Sequence, residues 1–400
     1  RNPGCGTRLL NGGISGDTAA GCVARWKDDI LPMKPDRVFV MFGMNDVGRD
    51  NYSTREPIEG AAKKRAKALE RYEENQRVLA DMIPAAGVKT VFVTPSPYDQ
   101  YANPEEKGNL VACNEPGLSA CAETVRKIAA EKNFGTVDLH APMTRLFRDN
   151  TEQRLCADRV HPGKEGHLVM AALFLDAMCV SPVLARAVID AAKGTAERIG
   201  KGSAKNVVLE RVAASPKRVA FTYAPKALPF PKLPEYVKTE AFYPLTDKLN
   251  REEIVVKGLE EGSYALKFDD AEVGRFTASE FAKGVNVALL DTPNQKRAME
   301  AEGPMRELQA LMSRLRRHAL VCGRLRQAQV DPADRAAADR WLDAWIEKSA
   351  KARWIGAIRA WVSTYRDVRD VKTALDERVE DLYERLASAR PAVSRVTIEQ

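Results

Sequence analysis

The sequence predicts an α/β protein: a doubly wound parallel sheet, followed by a small antiparallel β unit and a C-terminal α-helical hairpin. Up to about residue 185, short β-branched and aromatic runs alternate with helical stripes at the spacing of βα units. Strand patterns separated by turn residues come next, and apolar residues at helical spacing fill the remainder. We therefore expect three domains, over residues 1–200, 201–298 and 299–400.

The elements of the first domain follow from their residue patterns. The predicted strands are short apolar runs bounded by turn-forming residues: Val38–Met41, Thr90–Thr94 and Thr136–Leu139. The predicted helices carry apolar residues three or four positions apart: Ala19–Leu31, Leu69–Ile83, Leu118–Ala130 and Leu168–Met178. Right-handed connections between parallel strands bring their carboxyl ends to one edge, where open α/β sheets place their chemistry.

The composition is that of a globular chain. Apolar residues make up 44% of the 400 residues and charged residues 29%. The net charge of +7 is modest and dispersed, whereas a nucleic-acid-binding protein normally clusters its positive charge. No apolar run approaches the roughly 20 residues that cross a bilayer. We expect neither a nucleic-acid partner nor a membrane span.

The seven cysteines leave two interpretations open. An odd number cannot all pair, and no two have the C-x2-C spacing of a zinc site. Cys113 and Cys121 would close a short loop in an oxidising compartment, and free buried thiols are at least as well supported.

Asn45 is the first candidate site residue. It lies in the segment Gly43–Asp46, directly after the predicted strand Val38–Met41. A side-chain amide held at a strand end can donate to negative charge on a substrate oxygen. Turn formation alone also explains an Asn-Asp pair, so the other motifs decide whether Asn45 is a site residue or only part of a turn.

His161 and Asp158 form the second candidate pair. They lie in a loop before the last predicted helix of the domain, three residues apart. At this spacing the carboxylate can hold one imidazole nitrogen while the other faces a cleft, and histidine exchanges protons near neutral pH. For His140 and His167 we favour structural roles.

A glycine-dense loop, Gly12–Thr18, precedes the first predicted helix. Glycine lets the backbone approach a ligand closely and present its N–H groups to an anion. This loop contains Gly16 and is therefore a candidate anion-binding segment.

These motifs resemble those of the SGNH (GDSL-like) hydrolase family: NGGISGDT at Asn11–Thr18, GMND at Gly43–Asp46 and DRVHP at Asp158–Pro162. The resemblance covers about residues 1–185 and implies a flavodoxin-like sheet. It also implies ester hydrolysis by a Ser-His-Asp triad without metal or cofactor. By this resemblance His161 is the general base, Asp158 orients it, and the Gly16 N–H and Asn45 side chain form the oxyanion hole. The implied substrate is a small-molecule or glycan ester with a small acyl group.

The nucleophile departs from the family pattern. In the family it lies in a Gly-Asp-Ser-Leu-like block after the first strand, and this sequence has no such block. Arg8–Asn11 already resembles the second strand of a flavodoxin-like sheet, whose first strand is central. We therefore expect an upstream segment that supplies this strand and the serine. Neither Ser15, in the glycine loop, nor Ser96, between two prolines, is expected to replace it.

The second domain is expected to be β-rich. Val207–Leu209 and Arg218–Tyr223 predict a hairpin, and three further strands follow at Glu253–Lys257, Ser263–Phe268 and Glu272–Phe276. The proline-rich connector Leu228–Pro234 has the PxxP spacing of SH3 ligands, but we favour a packed linker. Four aromatic residues could form a sugar-stacking platform, but we favour core packing for them: Tyr236, Phe242, Tyr243 and Tyr264.

The apolar spacing in the third domain predicts one helix after Pro304 and a second, long helix after Asp334. Its near-heptad spacing would also allow self-association. Five arginines, which could in principle contact phosphate, are expected to lie on a solvated helix face: Arg314, Arg316, Arg317, Arg324 and Arg326.

Two functions from different classes therefore remain: an SGNH-type esterase, and a non-catalytic binding or scaffold protein on the same frame. The presence of the serine distinguishes them. A secreted or periplasmic location is expected if a signal segment precedes Arg1.

Overall fold

The computed structural model describes residues 8–53, 58–106, 108–152, 155–196, 206–352 and 354–400. These residues form two compact units. The first contains Arg8–Ala177 and Gln309–Val379, and the second contains Met178–Leu308 and Glu380–Gln400. The predicted boundary at residue 200 lies outside the described residues, and the three-domain division stays a prediction.

The first unit is built on a parallel sheet, as predicted. Its strands are β1 (Arg37–Met41), β2 (Lys89–Val93) and β3 (Gly135–Val137), in that order across the sheet. Both β1–β2 and β2–β3 pair in parallel. The α-helices of this region are α1 (Ala19–Arg25), which precedes β1, and, between and after the strands, α2 (Ala61–Ala85), α3 (Ser119–Lys132), α4 (His140–Asp149) and α5 (Lys164–Ala177).

One buried apolar cluster holds the helices of this region against the sheet. Leu79 and Ile83 of α2, Phe92 of β2 and Val125 of α3 belong to one buried cluster. Their helical or strand spacing in the sequence turns them all toward this cluster. The elements that follow the strands are thereby fixed against the sheet.

The predicted strand at Arg8–Asn11 is wrong. This segment has no regular secondary structure, and Leu9 and Leu10 are 69% and 54% exposed. Among the described residues no strand pairs with the outer edge of β1. Phe39 and Met41 of that edge strand are exposed as well. A short apolar run forms a strand only where a partner strand satisfies its backbone.

The second unit consists of two sheets that share one apolar core. Its strands in chain order are β4 (Val183–Asp190), β5 (Thr195–Ala196), β6 (Val207–Ser215), β7 (Arg218–Pro225), β8 (Arg251–Lys257), β9 (Ser263–Phe268), β10 (Ala271–Thr277) and β11 (Val285–Asn286). Its helices are α6 (Pro234–Glu240), α7 (Leu245–Leu249), α8 (Ala278–Lys283) and α9 (Pro293–Glu300). The sheet orders are β11-β8-β4-β5 and, with the final strand β12 (Ser394–Glu399), β10-β9-β12-β7-β6.

The hairpin β6–β7 is confirmed, but the grouping of β8 with β9 and β10 is wrong. Strand β8 pairs in parallel with β4 in the other sheet. A strand pattern fixes which residues are buried and does not identify the partner strand. The proline-rich connector packs as predicted, because the side chains of Asn250 and Gln295 hydrogen-bond its backbone at Phe230 and Lys232.

The described part of the C-terminal region contains four helices where a hairpin was predicted: α10 (Glu302–Gln327), α11 (Arg335–Lys348), α12 (Ile355–Arg369) and α13 (Lys372–Ser388). The long second helix is broken twice. The breaks let Leu342 of α11 and Ile358 and Val362 of α12 meet Leu325 of α10 in one buried cluster. A straight helix would leave much of that apolar stripe in water. None of the described helices has the length and hydropathy to span a membrane.

Candidate active site

Asn45 lies on a turn that directly follows β1. The N–H groups of Asp46 and Val47 both donate to the carbonyl of Gly43, at 3.0 and 2.9 Å. The Asp46 carboxylate in turn accepts from the N–H of Gly43 at 3.0 Å and of Ala19, at the start of α1, at 2.9 Å. Burial raises the pKa of Asp46 to about 6, against the lowering effect of these two N–H groups. Asp46 therefore ties the turn to the end of the glycine loop.

The side chain of Asn45 is held between two partners. Its Nδ2 donates to the carbonyl oxygen of Asp17 at 3.0 Å, and its Oδ1 accepts from Arg49 Nη2 at 2.9 Å. The arginine can only donate, so this contact fixes which end of the amide is the NH2 group. One Nδ2 hydrogen points to Asp17, and the second remains for another acceptor.

Gly16 lies directly before Asp17, so the structure brings the two predicted oxyanion donors together. Its φ of +76° is the left-handed conformation that favours glycine, and it is exposed. Thr18 then caps α1 by accepting from the N–H of Gly21 at 3.1 Å. Within the described residues no hydrogen-bond acceptor is found for the Gly16 N–H.

His161 and Asp158 are in contact, as their spacing predicts. His161 Nδ1 lies 2.6 Å from Asp158 Oδ2, and Asp158 Oδ1 accepts from the N–H groups of His161 and Val160 at 2.8 and 3.1 Å. The hydrogen bond from the imidazole, followed by those from the backbone, lowers the pKa of Asp158 to about 2. A proton on Nδ1 leaves the Nε2 lone pair free, and the imidazole is 81% exposed.

Comparison with known proteins places these residues in a family. The model of the GDSL-like lipase/acylhydrolase family matches residues 3–169. An acetylxylan esterase of Geobacillus stearothermophilus is 31% identical over 173 residues, which cover 43% of this chain and 73% of that protein. The chain belongs to the GDSL-like lipase/acylhydrolase family. It is accordingly a hydrolase of ester bonds, on an α/β fold of the SGNH type.

Solved structures extend the comparison beyond the family region. A gut microbial diltiazem-metabolizing enzyme superposes with a TM-score of 0.83 at 26% identity, over 100% of this chain and 91% of that one. A structure of an acetylxylan esterase from Geobacillus stearothermophilus is 30% identical over 44% of this chain and 74% of that one, with a TM-score of 0.34. The first likeness covers both units of this GDSL-like hydrolase.

Arg159, between the two residues of the His161–Asp158 pair, was missed in the sequence. It has a left-handed φ of +68° and is only 6% exposed. Its Nη1 donates to the carbonyls of Asp99 and Ala102 at 2.8 and 2.6 Å, and its Nη2 to that of Asn103 at 3.0 Å. Glu106 pairs with the same guanidinium. The segment after β2 thereby holds the histidine loop, a relation that no local pattern reveals.

Among the described residues, the other histidines and the serines make no contact with the His161–Asp158 pair. His140 is buried, its Nε2 lies 3.1 Å from Ser119 Oγ, and burial lowers its pKa to about 4. His167 is exposed on α5, away from any partner in the described chain. No serine of the described residues, Ser15 and Ser96 included, hydrogen-bonds to His161.

The described residues contain neither a disulfide nor a cluster of metal ligands. All six described cysteines are free, Cys113 and Cys121 among them. No three His, Cys, Asp or Glu side chains in those ranges converge as a metal site would.

Proposed function

We propose that the chain is an SGNH-type serine esterase that removes small acyl groups, with carbohydrate O-acetyl esters as the expected substrates. The contact between His161 and Asp158 carries this proposal, because it leaves a basic Nε2 at the protein surface. The acetylxylan esterase among the relatives supports an acetyl ester as substrate. Gly16 and Asn45, adjacent in the glycine loop and the Gly43–Asp46 turn, serve as the oxyanion hole.

The nucleophile in this proposal is a serine at the end of a strand that pairs with the outer edge of β1. The unpaired edge and the exposed Phe39 and Met41 are what a neighbouring strand would cover. Such a strand would run beside β1 and end near Gly43–Asp46. Its serine would then lie close to the oxyanion donors.

The reaction would proceed in two acyl-transfer steps. The serine oxygen attacks the ester carbonyl while His161 Nε2 takes its proton, and the oxyanion accepts from the Gly16 N–H and Asn45 Nδ2. The C–O bond to the alcohol breaks, and His161 returns the proton to the alcohol oxygen. Water then loses a proton to His161 as it attacks the acyl carbonyl, the bond from that carbonyl to the serine oxygen breaks, and His161 returns the proton to the serine as the acid leaves. Asp158 stays ionised and stabilises the imidazolium.

The test is steady-state hydrolysis of 4-nitrophenyl acetate and of acetylated xylo-oligosaccharides by the full-length protein. We expect His161→Ala to lower kcat by roughly four orders of magnitude or more. Asn45→Ala should lower it by about a hundredfold to a thousandfold, the typical effect of losing one oxyanion donor. His167→Ala, an exposed histidine of the same unit, is the matched control and should be unchanged. Equal activity of His161→Ala and the control would refute the proposal.

A further inference from the structure

Helix α10 reaches the glycine loop from the far end of the sequence. Arg316 is 6% exposed, and its two terminal nitrogens donate to the two carboxylate oxygens of Asp29 at 2.6 Å each. Its Nε donates to the backbone carbonyl of Gly13 at 3.0 Å. The planar fork of arginine matches a carboxylate in this bidentate manner. The sequence had placed Arg316 on a solvated helix face, and that expectation is wrong.

The contact continues through Arg25 to both ends of the glycine loop. Arg25 Nη1 donates to Asp29 Oδ2 at 2.7 Å and to the carbonyl of Gly12 at 3.0 Å, and Arg25 also pairs with Asp17 at 2.8 Å. Two arginines and two aspartates thus form a buried network without net formal charge. Burial acts to lower the pKa of Arg25, yet the charge of Asp17 and the other partners raise it overall. Arg25 therefore stays cationic, and the two arginines hold the loop between them.

Packing contacts also join helix α10 to the glycine loop and to the segment that follows it. Ile14 of the loop lies against the buried cluster of α10, α11 and α12. A Cβ added at Gly323 of α10 would lie 3.1 Å from Asp29 Cβ, so the helix approaches this segment closely. Arg326 and Gln327 of α10 donate to the carbonyls of Asp28 and Ala24 at 2.9 and 3.1 Å. The loop is therefore fixed by helices that lie outside the matched family region.

We propose that Arg316 is a positioning residue of the hydrolase, which holds the Gly12–Asp17 loop so that the Gly16 N–H faces the developing oxyanion. The inference rests on the function proposed above. An oxyanion donor contributes fully only when it is held within about half an ångström of its place. A loop with three glycines has many accessible backbone conformations, and the hydrogen bonds from Arg316 and Arg25 fix one of them. Residues 309–379 thus belong to the catalytic unit, although they are remote in sequence.

The experiment compares Arg316→Met, Arg316→Lys and the control Arg317→Met in the full-length protein. Arg317 is exposed on the same helix. We expect Arg316→Met to lower kcat by roughly tenfold to a hundredfold with KM within about twofold, because the lost interaction acts in the transition state. Arg316→Lys, which keeps the charge but not the fork, should recover part of kcat. Arg317→Met should match the wild type.

A double-variant cycle separates positioning from a general loss of stability. Because Asn45 Nδ2 donates to the carbonyl of Asp17 in this loop, a displaced loop would move both oxyanion donors, so Arg316→Met should cost much less in kcat in an Asn45→Ala background than alone. Fully multiplicative effects, or a wild-type kcat in a folded Arg316→Met variant, would overturn the inference. If Arg316→Met does not fold, the cycle is run with Arg316→Lys under the same criteria. Failure of the proposed function itself would appear separately, as retained activity of His161→Ala.

Discussion

Replacing Arg159 by lysine tests how the histidine loop is held. Lysine keeps the positive charge and the left-handed backbone, so the change isolates the guanidinium contacts; glycine would also relieve the backbone and obscure the result. One ammonium group cannot reach all three carbonyls that the two terminal nitrogens now serve, those of Asp99, Ala102 and Asn103. One or two buried carbonyls would lose their partner, at about 1–3 kcal/mol each.

The expected loss is therefore about 1–6 kcal/mol, which for a unit of this size corresponds to a fall in Tm of roughly 2–24 °C. Because His161 lies two residues on, kcat should also fall, by about tenfold at a temperature where the variant remains folded. Thermal unfolding and hydrolysis of 4-nitrophenyl acetate measure the two effects. Arg145→Lys, an exposed arginine of α4, is the matched control. A Tm and kcat that both match this control would refute the reasoning.

Three further predictions follow from single contacts. In Gly16→Ala the added Cβ would have no atom within 4 Å, but the alanine would be forced to a φ of +76°. We therefore expect the free energy of unfolding, measured by denaturant titration, to fall by about 1–2 kcal/mol, and kcat to fall as well. An unchanged denaturation midpoint would contradict this. Arg49→Met frees the side-chain amide of Asn45 to rotate, so kcat should fall by roughly threefold to tenfold in a rate assay. The Tm should change little, because the Arg49–Asn45 pair is exposed. A wild-type kcat would show that Arg49 does not orient the amide. Glu252 accepts from Tyr223 at 3.1 Å, and burial raises its pKa from 4.5 to about 7. Since the folded state holds this proton more tightly, the free energy of unfolding should fall by on the order of 3 kcal/mol as pH rises from about 4.5 to 7. In denaturant titrations, Glu252→Gln should remove this part of the pH dependence. An identical pH dependence in the variant would count against the prediction.

The parallel sheet and the site pairs were predictable because their signals are local. Val38–Met41 is an apolar run that ends at a turn, and a strand formed there. Asp158 and His161 are three residues apart, so one turn of loop suffices to bring them together. The proximity of Gly16 and Asn45 was expected from the resemblance to the SGNH family and not from the strand pattern, since the residues described before Gly16 form no strand.

What the sequence could not show depends on distant partners. Arg316 lies among other arginines on a helix, and only the fold shows that Asp29 and Gly13 receive its hydrogen bonds. Leu9 and Leu10 are apolar and adjacent, yet they lie in no strand of the described residues and are largely exposed. Strand β8 has the same alternation whether it pairs with β4 or with β9. Self-association through the C-terminal helices stays a prediction.

The central claim is that His161 and Asp158 activate a serine for acyl transfer. The most direct measurement is intact-protein and peptide mass spectrometry of the full-length protein after reaction with a serine-directed phosphonate. We predict one phosphonyl group per chain on a single serine, formed in parallel with loss of esterase activity and strongly slowed in His161→Ala. Continued ester turnover without any adduct, or an adduct that forms equally fast in His161→Ala, would contradict this account.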